Sequence, residues 1–170
     1  MAADNEVEAW LSGEVHLVPP LLQPVGHALL NASQQVASAI DGMTVEQIMA
    51  RPGGAASIAY HVRHACGSLD RLFTYARGES LSEIQRQALH AETLEDAPAS
   101  SGALVDQLNR AVEMALDQLR VTDEATLLDA RGVGRAKLPS TVIGLLFHGG
   151  EHTARHAGQV VTTARIVRER

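Results

Sequence analysis

The apolar residues of this chain recur at intervals of three and four in segment after segment, and the period-2 alternation of a half-buried strand is nearly absent. That spacing restricts the chain to an all-α fold. Proline and glycine clusters then cut it into pieces. A short amphipathic start at 5–11 precedes a break at Pro19 and Pro20, and a first long helix at about 21–40 stops at the turn signal Asp41 and Gly42. Thr44 and Gln47 fit a capping box that opens a short helix, which Pro52, Gly53 and Gly54 end. The second long helix runs over about 56–77 with Gly78 as its C-cap, and Ser82 with Gln85 repeats the capping box for a helix to about residue 90. A Pro/Ser/Gly-rich linker at 97–102 leads into a third long helix at about 103–120. A loop region at 123–138 follows, and Pro139, Ser140 and Thr141 start a last helix that continues to about residue 167.

Two of these helices have readable faces. On a 100° wheel Ile58, Val62, Ala65, Leu69, Leu72, Phe73 and Ala76 form one stripe, and Leu104, Leu108, Ala111, Met114, Ala115 and Leu119 form another. Four long striped helices imply a four-helix bundle, with short extra helices in the crossovers, and 170 residues are enough for a single domain of this kind over 1–170. The crossovers are too long to require a simple up-and-down order.

Composition removes several function classes. A net charge of −6 opposes non-specific phosphate binding, and 3% aromatic residues is too few for a base-stacking platform, so no nucleic-acid partner is expected. No apolar run approaches the roughly 20 residues that cross a bilayer, so no membrane partner is expected either. The single cysteine, Cys66, has no internal disulfide partner, and the stretch 1–10 is acidic where a secretory signal is basic and then apolar. A cytoplasmic location is the resulting expectation. Gly132 and Gly134 make a GxG without the rest of a dinucleotide fingerprint, which is a weak signal.

The chemistry concentrates in histidine. Five of the eight histidines lie in two helices: His61 and His64 in the second, His148, His152 and His156 in the last. Residues four apart on a helix stand about 40° apart around the axis and about 6 Å along it, so His152 and His156 can converge on one ion. His148 and His156 are about 12 Å apart along the axis, which puts one of the three outside the first coordination sphere. His61 and His64 are three apart, and the wheel does not choose between them as the partner on the other helix. The bland alternative for each is a solvated or hydrogen-bonded helix-edge histidine. His16, His27 and His90 sit alone and are expected at the surface.

Two stretches carry a family resemblance. The segment 52–71, PGGAASIAYHVRHACGSLDR, is similar to the second helix of the DinB-like superfamily of metal-dependent four-helix-bundle proteins, in which a histidine precedes an acidic residue by about six positions. The segment 151–159, EHTARHAGQ, resembles the closing motif of that superfamily: His, three residues, His, any residue, Gly, Gln. The superfamily includes the YfiT-type hydrolases and bacterial thiol transferases, and the resemblance spans roughly residues 21–165. It implies three metal ligands, His64, His152 and His156, with His61 in reserve. Arg155 replaces the bulky or histidine residue common just before the last ligand. A homodimer is also implied by the resemblance.

Three neutral imidazoles and no carboxylate leave positions open for water or substrate, the mark of a catalytic rather than a purely structural site. An all-nitrogen set suits zinc, nickel, copper or iron, with zinc or nickel the expected divalent cofactor. Such an ion lowers the pKa of bound water or holds a thiol as thiolate. The resemblance favours a small-molecule substrate, a low-molecular-weight thiol among them, and a transferase or hydrolase reaction. The other reading is a non-catalytic metal-binding protein of stress or interaction function. Glu151 and Asp70 are candidate acceptors for the ligand rings' second N–H, with a solvated helix charge as the alternative for each. Cys66 reads as a small packed residue rather than a nucleophile. Arg63, Arg155 and Gln159 could line the mouth and receive an anionic substrate, or could be a solvated face.

Overall fold

A computed structural model describes residues 7–92, 96–98 and 100–169. Its helices are α1 (Gln23–Ile40), α2 (Val45–Met49), α3 (Ile58–Ala76), α4 (Glu83–Ala91), α5 (Ser101–Arg120) and α6 (Val142–Arg168), with one hairpin of β1 (Ala130–Val133) and β2 (Leu138–Thr141). Side chains placed by the sequence fix the ends. Thr44 and Ser82 close the two capping boxes with Gln47 and Gln85, and Ser57 accepts from the Tyr60 amide at 3.1 Å to start α3. At the far end of α3, Gly78 takes φ +80°; its N–H reaches the Tyr75 carbonyl and that of Glu79 the Thr74 carbonyl, a Schellman closure.

α1, α3, α5 and α6 pack around one core whose fully buried members include Leu29, Ile58, Leu69, Leu104, Leu116 and Leu146. α6 packs on both α1 and α3, and α5 packs on the same two from the opposite side. α1 and α3 are therefore diagonal, and this order needs the long crossovers that carry α2, α4 and the hairpin. The close approach of α6 depends on two glycines. A Cβ at Gly149 would stand 2.8 Å from Phe73 Cε2, and one at Gly150 would stand 3.2 Å from Val25 Cγ1. Without side chains there, the histidine-bearing stretch of α6 settles directly against α3.

The predicted bundle is present, with local corrections. α1 begins at Gln23, after a 3-10 turn over Pro20–Leu22. α5 begins at Ser101, inside the expected linker, because the Ser100 side chain caps it. The region 123–138 is not a loop throughout: after a 3-10 turn at Glu124–Thr126 it forms β1, and Pro139, Ser140 and Thr141 belong to β2. The last helix instead begins after Thr141, whose hydroxyl accepts from the Gly144 amide at 3.1 Å. Strands of four residues are too short to register as a period of two. Gly132 sits opposite Pro139 in the hairpin, and Gly134, at φ +68°, occupies its turn, so the GxG is a hairpin element. Met114 is 68% exposed; Val112 and Leu116 take the buried places on α5. Of the expected amphipathic start, Ala9–Leu11 forms a 3-10 turn, while residues 5 and 6, the first six residues of the acidic stretch, and residue 99 of the linker lie outside the described residues. Among the described residues no helix is long and apolar enough to cross a membrane.

Candidate metal centre

α3 and α6 bring their histidines face to face. His64, His152 and His156 each offer a nitrogen within 4.8 Å of the others, and all three are half-buried. Ring centroids are 4.5 Å apart for His152 and His156, 4.8 Å for His64 and His156, and 5.2 Å for His64 and His152. The spacing of one turn on α6 supplies two members and the α3–α6 contact supplies the third. His148 stays outside: its side chain is 49% exposed, pairs with Glu151 at 3.3 Å and meets the His152 ring edge-on.

The rings are held by neighbours. His64 Nδ1 donates to Glu92 Oε2 at 2.8 Å, and Arg71 Nη1 donates to Glu92 Oε1 at 2.5 Å. Only about a tenth of the Arg71 and Glu92 side chains is exposed. Tyr60 stacks on His64 with centroids 5.6 Å apart and planes within 4°, and meets His61 edge-on. His61 is buried, and its Nδ1 lies 3.0 Å from His156 Nδ1. His152 Nδ1 is buried with no hydrogen-bond partner among the described residues.

The electrostatics favour free lone pairs. Burial and then the imidazoles of His152, His64 and His61 push the His156 ring down to about 4. Burial, followed by the neighbouring His64, lowers His61 and His152 as well. Neutral imidazole is the form that binds a metal. A buried nitrogen without a partner costs free energy unless an electrophile meets it. Three converging imidazoles, one with such an orphaned nitrogen, fit a divalent ion that prefers nitrogen.

The two acidic candidates are engaged elsewhere. Asp70 is exposed and accepts from Gln85 Nε2 at 2.9 Å, which ties α4 to α3. Glu151 accepts from Arg155 Nε at 2.9 Å, and that guanidinium holds its carboxyl below the usual range. The acceptor on His64 is Glu92, which arrives from the end of α4, 28 residues away, where no helical spacing points to it. The one signal in the sequence is Gly67, a glycine inside the continuous helix α3 three positions after His64.

Arg155 is thus occupied by Glu151, Arg63 donates to the Asp96 carbonyl, and Gln159 is exposed. Cys66 is buried, and burial pushes its thiol up to about 12, so it packs as an apolar group. His16 and His90 are exposed; His27 is half-buried, with Nε2 2.9 Å from the Gly13 carbonyl. Two cavities lie apart from the histidines, one of about 710 Å³ between α1 and α6 and one of about 280 Å³ between α3 and α5.

A family model described as the DinB superfamily matches residues 28–160. Among solved structures, one described as the conserved protein of a locus from Enterococcus faecalis is similar in fold. Its TM-score is 0.72 at 19% identity, over 88% of this chain and 98% of that one. No curated protein matches the chain.

Proposed function

The chain belongs to the DinB superfamily, and from that premise we propose that it is a metal-dependent enzyme whose ion is held by His64, His152 and His156. One observation carries this reading: three imidazoles meet within 4.8 Å, and one of them has a buried nitrogen that no described residue satisfies. Zinc or nickel is the proposed ion among those that an all-nitrogen set suits. When bound, it supplies Lewis acidity that makes a nucleophile of water or of a thiol near neutral pH.

The protein's own residues prepare that chemistry. Burial lowers the His152 and His156 rings, so no proton has to leave His156 near neutral pH before a cation arrives. With no carboxylate among the three candidate ligands, a bound ion would keep its positive charge and have positions free for water or substrate. Of the three candidate ligands, the His64 side chain is 24% exposed. The proposed reaction is transfer or hydrolysis on a small molecule, with a low-molecular-weight thiol as one reactant, in a homodimeric protein.

Elemental analysis of the purified protein tests the site. We expect bound zinc or nickel in the wild type, its loss in His64→Ala and His152→Ala, and its retention in His61→Ala. Unchanged metal content in both of the first two variants would overturn the assignment.

A further inference from the structure

The geometry points to Glu92 as a positioning residue that fixes His64 in the tautomer presenting Nε2 to the metal. This rests on the three-histidine reading above and adds a residue that no spacing in the sequence selects.

The argument begins with the proton. A carboxylate only accepts, so at 2.8 Å from Glu92 Oε2 the His64 Nδ1 must carry the hydrogen. In a neutral ring Nε2 is then the lone-pair donor, and the ring cannot turn over without breaking a charge-assisted bond. Carboxylate contacts of this kind both orient a metal-binding imidazole and raise its basicity.

Glu92 is itself constrained on two sides. Arg71 Nη1 holds Oε1 at 2.5 Å, balancing the charge of a side chain that is 90% shielded from solvent. Gly67 makes the space: a Cβ there would overlap Glu92 Oε1 and stand 2.8 Å from Arg71 Nη1. Gly67 does not have positive φ, so its backbone does not require glycine. In a helix interior alanine is favoured over glycine by about 1 kcal/mol. The Glu92 carboxylate and the Arg71 guanidinium thus fill the space that a side chain at residue 67 would take. The crossover helix α4 thereby contributes to a site whose candidate ligands all come from α3 and α6.

The test is Zn²⁺ affinity by competition with a chromogenic chelator, in the full chain. We expect Glu92→Ala and Gly67→Ala to weaken binding by about 10- to 100-fold. Glu92→Gln, whose amide oxygen still accepts a hydrogen bond, should lose less, and Glu83→Gln on the exposed face of α4 should match the wild type. Gly67→Ala is the informative variant, because it retains every charged group and crowds the Glu92 carboxylate together with the Arg71 guanidinium that holds it. Wild-type affinity in both Glu92→Ala and Gly67→Ala would overturn the role of Glu92 while leaving the metal site intact. A wild type that takes up no Zn²⁺ would overturn both. A second readout needs no metal and covers variants that fail to fold: long-range ¹H–¹⁵N NMR of the metal-free wild type should show His64 protonated at Nδ1. A ring protonated at Nε2 would refute the assignment.

Discussion

His61 Nδ1 and His156 Nδ1 lie 3.0 Å apart, with His61 buried against α6. Two imidazole nitrogens at that distance share one hydrogen, so one ring donates and the other accepts. The pair makes His61 a support for His156. Removing it should leave the metal in place but weaken it by about 10-fold, the low end for lost partners of ligand rings. We therefore expect His61→Ala to retain full metal content in elemental analysis and to show reduced affinity for Zn²⁺ in chelator competition. Complete loss of metal would make His61 a ligand.

The depressed His156 ring makes stability depend on pH. In the folded protein it titrates at about 4, against an ordinary value of 6.5 once unfolded. Between these values the unfolded chain binds more protons than the native one, so unfolding is favoured as the pH falls. The contribution is complete above 6.5 and is lost progressively down to about 4. His61 and His152 shift in the same direction and reinforce it. Denaturant midpoints of the metal-free protein should fall between pH 7.5 and pH 4.5, and the slope should be smaller in His156→Asn. Equal slopes in the two proteins would remove His156 as the cause.

Gly149 should be the least replaceable glycine of α6. A Cβ there meets Phe73 Cε2 at 2.8 Å and Leu69 Cδ1 at 3.2 Å, both buried. Overpacking of this kind costs about 1–3 kcal/mol, and in a chain of this size each kcal/mol lowers Tm by roughly 2–4 °C. Gly158 on the same helix has nothing within 4 Å of its Cβ position. Thermal melts should show Gly149→Ala destabilised and Gly158→Ala unchanged or raised. Gly149→Ala should also weaken Zn²⁺ binding, because it pushes apart the two helices that carry the histidines.

These sites differ in how far the sequence disclosed them. His152 and His156 are one helical turn apart, so their convergence follows from the sequence and a single geometric constant. His64 required a family resemblance, because the wheel left it level with His61; only packing shows that His61 turns to His156 while His64 turns to Glu92. Asp70 was selected by its spacing from His64, but its carboxylate points toward α4 and Gln85. Glu92 and the hairpin strands were not legible for one shared reason. A contact across 28 residues and a four-residue strand pairing are tertiary facts that leave no periodic trace. Met114 lies at the edge of the helical stripe, and the buried face of α5 extends to the other side of that stripe, to Val112 and Leu116, which leaves it uncovered.

Cys66 supplies a test that separates packing from chemistry. It is two residues from His64, yet it is 7% exposed, and burial pushes its thiol up to about 12. Thiolate is the reactive form, and at pH 8 such a group holds roughly 10⁻⁴ of its population as thiolate. Labelling with a thiol-specific disulfide reagent should therefore be slow in the native protein and rapid in denaturant. Cys66→Ala should remove the labelling and leave Zn²⁺ affinity within about twofold, because no step assigned to the histidine centre uses the sulfur. Stoichiometric labelling of the native protein within seconds would mean that α3 opens locally to expose this face. His64, one half-turn away on the same helix, would then be less firmly held than the Glu92 contact implies.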